Sequence, residues 1–184
     1  ALVCSPDGEE VAVAGAAGLL SWRLERAAAA DGERGALVPQ LTRGEPVYQG
    51  DPQLTSLAYL EPPFLLAGDT DGGVTLWGSA ATPLGMFTSA PMLREVDLLH
   101  PERIFAADEA DDVGVQRWVV VVAGIGSHCV LRYLLTLPLP VAGFASAPPQ
   151  FELLSEIRLN GDALGMSWAS GATQGVVGTN AGNI

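Results

Sequence analysis

The sequence predicts an all-β protein built from one repeated four-stranded unit. Three observations carry this expectation. Short segments rich in Leu, Val, Thr, Tyr and Phe recur between breaks that bear Gly, Pro and Asp, the composition a pleated, mostly buried surface favours. A glycine closes the middle strand of each unit, at Gly15, Gly68, Gly124 and Gly178, with intervals of 53, 56 and 54 residues. An aromatic residue falls late in the strand that follows, at Trp22, Trp77 and Tyr133. Near-regular repetition of four-stranded units is the pattern of a β-propeller, here incomplete at about three and a half blades.

The clearest unit is Leu54–Gly78. Leu54–Leu60 runs into a Glu61-Pro62-Pro63 turn, Phe64–Gly68 follows, and Asp69-Thr70-Asp71-Gly72-Gly73 leads into Val74–Trp77. Proline cannot donate to a ladder, and Asp-Gly or Gly-Gly supplies the positive φ of a tight hairpin. The first unit repeats the order: a strand end at Ala1–Cys4, a Ser5-Pro6-Asp7-Gly8 turn, Val11–Gly15, a turn at Ala16-Ala17-Gly18, then Leu19–Leu24. In the third, Trp118–Gly124 is the middle strand, Ile125–Ser127 the turn and Cys129–Leu135 the next strand. The fourth has Ala163–Trp168, a polar turn over Ala169–Gln174, and Gly175–Gly178. Candidates for the fourth strands are Glu45–Gln49, Pro83–Thr88 and Phe151–Leu159, the last with period-2 alternation. The units span approximately residues 1–49, 50–90, 91–159 and 160–184.

Three insertions fall between strands. Glu25–Arg43 is rich in Ala and Gly, Pro101–Gln116 carries Asp108, Glu109, Asp111 and Asp112, and Thr136–Gln150 is Pro-rich and extended. The chain opens within a first strand and stops at Asn183-Ile184, where a third strand is due. The expectation is a piece of a longer propeller, completed by further sequence or by a partner, because open sheets leave raw hydrogen-bonding edges.

Ser5-Pro6-Asp7-Gly8, and Asp71-Gly72 placed six and five positions before Trp77, resemble the WD40 repeat. The family pattern is a first strand, an S-P-D-G turn, a second strand ending in a small residue and Gly, D-G, and a third strand ending in W-D. Gly78 stands where the last Asp is common, Ala16 and Ser127 replace the turn Asp elsewhere, and Gly50-Asp51 and Gly161-Asp162 stand for the opening Gly-His. The repeats are therefore diverged, and periods above the usual ~40–45 residues imply insertions. The resemblance implies a non-catalytic protein–protein interaction scaffold. The segment GMSWASGATQGVVGTNAGNI is similar to repeats of very large WD40 proteins of cilia, flagella and centrioles, which implies a structural place on or near microtubules. The alternative is an adaptor of another intracellular complex, in trafficking or ubiquitin ligation; an enzyme propeller stands third.

Composition narrows the partners. The net charge is −12, and all nine basic residues are scattered Arg, which argues against binding a phosphate backbone. The longest apolar run, Trp118–Ala123, falls far short of the roughly 20 residues that span a bilayer. No signal-peptide pattern is visible, and Cys4 and Cys129 form no C-x-x-C pair, so a reducing, cytoplasmic setting is expected. Neither nucleic acid nor membrane is expected as a partner.

No chemistry-bearing constellation emerges. His100 and His128 lack zinc-ligand spacing to any Cys or carboxylate. Asp69-Thr70-Asp71-Gly72 begins like a calcium loop, but the twelfth position is Ala80 rather than Glu. His128 and Cys129 are neighbours on one expected strand and so point to opposite faces. No catalytic residue, metal or cofactor is expected. Gly15, Trp22, Gly68, Asp71, Trp77, Gly124, Tyr133 and Gly178 are read as structural repeat positions, and Trp168 as another packing aromatic. Asp108, Glu109, Asp111 and Asp112 form the candidate partner-binding loop.

Overall fold

The computed structural model describes residues 1–15, 18–26, 37–45, 52–61, 63–78, 83–89, 92–104, 114–126, 128–138, 147–169 and 174–182. Fourteen strands and no helix occur among them. β1 (Leu2–Cys4), β2 (Glu10–Gly15), β3 (Gly18–Arg26) and β4 (Leu37–Glu45) form sheet I. β5 (Leu54–Tyr59), β6 (Leu65–Asp69), β7 (Gly73–Trp77) and β8 (Pro83–Thr88) form sheet II. Sheet III holds β9 (Leu93–Ile104), β10 (Val115–Gly126), β11 (Cys129–Pro138) and β12 (Gln150–Arg158); sheet IV pairs β13 (Ala163–Trp168) with β14 (Gly175–Thr179). Every pairing is antiparallel between strands consecutive in the chain, so each sheet is a meander.

The sheets stack in chain order through their first strands. β5 packs on β1 and β2, β9 on β5, β6 and β7, and β13 on β9 and β10. Three apolar cores fill the joints. Ala12, Ala14 and Leu19 meet Tyr59 and Leu65 between sheets I and II. Leu66, Val74 and Leu76 meet Val96, Val120, Val122, Leu131 and Tyr133 between II and III. Val119, Val121, Ala123 and Val130 meet Ala163, with Trp168 and Val177 against them, between III and IV. Strand β10 shows why its sequence is an unbroken apolar run. Successive side chains alternate between faces, and here both faces are covered: Trp118, Val120 and Val122 turn to sheet II, Val119, Val121 and Ala123 to sheet IV.

Prolines caused most of the boundary errors. The fourth strand of the first unit is Leu37–Glu45, not Glu45–Gln49, whose residues 46–49 lie outside the described residues. The expected insertion Glu25–Arg43 shrinks because β3 runs on to Arg26, which pairs with Leu37. Pro39 sits in β4, and Pro101 in β9; both are edge strands, where a missing N–H on the open side costs no ladder bond. For the same reason Pro101–Gln116 is not one insertion, since β9 continues through Pro101 to Ile104 and β10 begins at Val115. β11 likewise runs to Pro138, past the expected start of the Pro-rich loop at Thr136.

Candidate functional site

The expected repeat positions are spread over four sheets and converge on no single site. The glycines differ in what surrounds them. A Cβ on Gly68 would run into Ser56 and the side chain of Val96, and one on Gly124 into the backbone of Glu95 and Asp97, where β9 bulges. Among the described residues, a Cβ on Gly15 would meet nothing within 4 Å, and on Gly178 only the carbonyl oxygen of Gly165, at 4.0 Å. Trp22 is half-buried, opposite Val11 in β2. Trp77 packs into the joint between sheets I and II, and Tyr133 into that between II and III. The Tyr133 ring also meets that of Phe87 at a 44° tilt, centroids 4.3 Å apart, and Phe87 in turn lies 4.6 Å from Phe151.

At the Asp-Gly hairpin, the carboxylate that organises the turn belongs to Asp69. Its Oδ1 accepts the N–H groups of Asp71 and Gly73, at 2.9 and 2.8 Å, while Asp71 itself is exposed. The signal lies in Asp-Thr-Asp-Gly, whose first Asp rather than its second has the turn N–H groups within reach. The Ser5-Pro6-Asp7-Gly8 turn is built in the same manner. Asp7 Oδ1 accepts from Ser5 Oγ and from the Glu9 N–H, and Ser5 Oγ accepts from the Glu10 N–H. These bonds hold the Asp7 carboxyl below the usual carboxylate range, the Ser5 hydroxyl foremost.

Polar groups also cross the joints. Arg103 on β9 donates to Glu61 at 2.6 Å, and Gln116 on β10 donates to the other Glu61 oxygen at 3.2 Å, clamping the β5–β6 turn to sheet III. Between sheets III and IV, the Gly126 N–H donates to Asp162 Oδ1 at 3.2 Å, and His128 Nε2 lies 3.6 Å from the same oxygen. Asp97 on β9 feels that Asp162 charge. Its carboxyl is raised above the usual range, chiefly by desolvation, against a backbone bond from Ile125 that acts the other way. Glu95 is raised too, by desolvation and then by Asp97.

His128 stands outside the strand, at φ 54°, so the opposite-faces expectation for His128 and Cys129 fails in its premise. The two groups nonetheless have different surroundings. His128 faces Asp162, whereas Cys129 is buried with Sγ 4.0 Å from the Met92 carbonyl oxygen. Cys4 is exposed, and neither cysteine forms a disulfide. Among the described residues no three His, Cys, Asp or Glu side chains are grouped to hold a metal ion, and no helix is long and apolar enough to cross a membrane. Asp108, Glu109, Asp111 and Asp112 lie outside the described residues.

The chain matches no protein-family model and no curated protein sequence.

Proposed function

We propose that this chain is a non-catalytic protein-interaction scaffold, a segment of a diverged WD40-like β-propeller. One observation carries the reading: three consecutive four-stranded meanders and the start of a fourth stack face to face through their first strands. Such a stack is rigid because each joint is an apolar core, and it presents connecting loops along its rim. The carboxylates of Asp69, Glu61 and Asp162 are engaged in caps and clamps, which is structural use of polar groups. Fold does not dictate activity, so the interaction role rests on this use of the polar residues together with the repeat resemblance.

The place we propose for the scaffold is a microtubule-based assembly of a cilium, flagellum or centriole, on the strength of the repeat resemblance. With a net charge of −12, the chain is suited to contact other proteins of such an assembly rather than the acidic tubulin surface. A tagged copy expressed in a flagellated cell should remain with the detergent-extracted cytoskeleton, and purified chain should fail to co-sediment with bare microtubules. Recovery wholly in the detergent-soluble fraction would shift the reading to an adaptor of another intracellular complex.

A further inference from the structure

Both histidines of the chain lie at the joint between sheets III and IV, and each stands beside a carboxylate. His128 occupies the turn from β10 to β11 at φ 54°, a left-handed conformation that histidine enters more readily than most side chains. Its carbonyl oxygen accepts the Leu159 N–H at 2.7 Å, and its Nε2 lies 3.6 Å from Asp162 Oδ1, just before β13. Asp162 is itself held from both sides of the joint. The Gly126 N–H reaches Oδ1 at 3.2 Å, and Asn180, beyond β14, donates from Nδ2 to Oδ2 at 3.4 Å.

His100 sits further along β9. Leu98 and Ile104 pack into the core shared with sheet IV, and the β9–β10 register is unbroken between them, so His100 and Glu102 turn to the same side. The Nε2 atom of His100 is buried with no hydrogen-bond partner, 3.8 Å from Glu102 Oε2. A ring nitrogen so placed becomes a donor when it takes up a proton.

Few other charged groups surround the imidazoles among the described residues. On β9, Glu95 lies opposite Ile125 of the His128 turn, and Asp97 feels the Asp162 charge. The Arg94 side chain passes Gly126, and Arg158, opposite Cys129, turns to Glu156. On the His100 side, Arg117 shares the face of β10, and Arg132 lies two strands across, beyond Val121. β13 and β14 carry no titratable side chain.

We propose that the joint between sheets III and IV is a proton-operated latch, closed when His100 and His128 are charged against Glu102 and Asp162. Histidine is the side chain whose charge ordinarily changes between about pH 5 and 8. Charging His128 sets a cation beside Asp162, which Asp97 otherwise repels. The latch is therefore closed on the acid side of that window and opens as pH rises through it. Glu95 and Asp97, whose carboxyls are raised chiefly by desolvation, act in the same direction. The other two joints hold no histidine and should not respond. The latch goes beyond the scaffold reading and does not depend on it.

Hydrogen exchange of the full chain, corrected for intrinsic rates, tests this by comparing β13 amides with β6 amides at about pH 7.5 and 5.5. Protection of β13 relative to β6 should rise about three- to tenfold on acidification, the order of two part-exposed ion pairs. His100→Gln and His128→Gln should each remove part of the rise, Asp162→Asn should remove the His128 part, and the double histidine variant should lose most of it. A ratio independent of pH, a fall on acidification, or the full rise retained in the double variant would overturn the latch. Where a variant does not fold, the parent decides alone. Sodium chloride at about 1 M should shrink the rise by screening the pairs, and a rise untouched by salt would rule them out as its cause.

Discussion

The hydroxyl of Ser56 donates to the carbonyl oxygen of Val96 at 2.5 Å, tying the first strand of sheet II to the first strand of sheet III. Thr55 Oγ1 reaches the same oxygen at 2.7 Å, so one carbonyl receives two hydroxyls from consecutive residues. Ser56→Ala should therefore cost only about 0.5–1.5 kcal/mol, since Thr55 still satisfies the acceptor. Adding Thr55→Val leaves the carbonyl without either hydroxyl and should cost more than the two single changes summed. Urea unfolding of the four proteins checks this; strict additivity would mean that the two hydroxyls act independently.

Gly15 and Gly124 occupy aligned places in the repeat but should respond oppositely to alanine. At Gly124 the new methyl would lie 2.8 Å from the Asp97 backbone nitrogen, and backbone cannot swing aside, so Gly124→Ala should destabilise by roughly 1–3 kcal/mol. At Gly15 the described residues leave open space and φ is not positive, so Gly15→Ala should be neutral or stabilise by up to about 1 kcal/mol. Melting temperatures of the two variants decide it, and equal losses would contradict the environments described.

Asp69 and Asp71 separate in the same manner. Asp69 is buried and caps two N–H groups, so Asp69→Ala should lose on the order of 1–3 kcal/mol. Asp71→Ala, at an exposed position, should stay within about 0.5 kcal/mol. Denaturant midpoints that fell further for Asp71→Ala would move the architectural role back to that residue.

The raised carboxyls of Glu95 and Asp97 set a sign for pH dependence. Folding raises their pKa values, so the folded state holds these protons more tightly than the unfolded chain. Their contribution is present below the ordinary carboxylate range and is lost as pH rises through the raised values. Asp97→Asn, which stays neutral, should gain stability relative to the parent across that rise. Asp7 acts in the opposite sense, its contribution being lost as pH falls through its lowered value. Thermal melts from mildly acidic to neutral pH test this; a constant gap between Asp97→Asn and the parent would refute it.

Much of the strand order was legible because turns announce themselves in Gly, Asp and Pro, and because aliphatic runs such as Trp118–Ala123 have little use on a surface. Edge-strand prolines were the main source of error, since Pro39 and Pro101 break a central ladder but not an outer one. Faces were less legible than strands. Leu66 and Val122 each precede an aligned glycine by two residues, yet Leu66 faces sheet III and Val122 faces sheet II. Repeat alignment alone does not report pleat phase, because a one-residue slip inverts it. Candidate-site residues were the least legible. Glu61 and its partners Arg103 and Gln116 are far apart along the chain, and only the stacking of sheets II and III brings them together.

The two-sided burial of β10 has a consequence for how the chain is made. Trp118-Val119-Val120-Val121-Val122-Ala123 has high β-propensity and carries no charge, proline or glycine, the profile of a segment prone to self-association when bare. During synthesis it emerges after sheet II, which can shield one side at once, and before sheet IV, which shields the other. Until then its valines at positions 119 and 121 depend on chaperones or on fast pairing with β9 and β11. The dependence of yield on growth temperature should therefore be steeper for variants that delay sheet IV than for equally destabilised variants in sheet I.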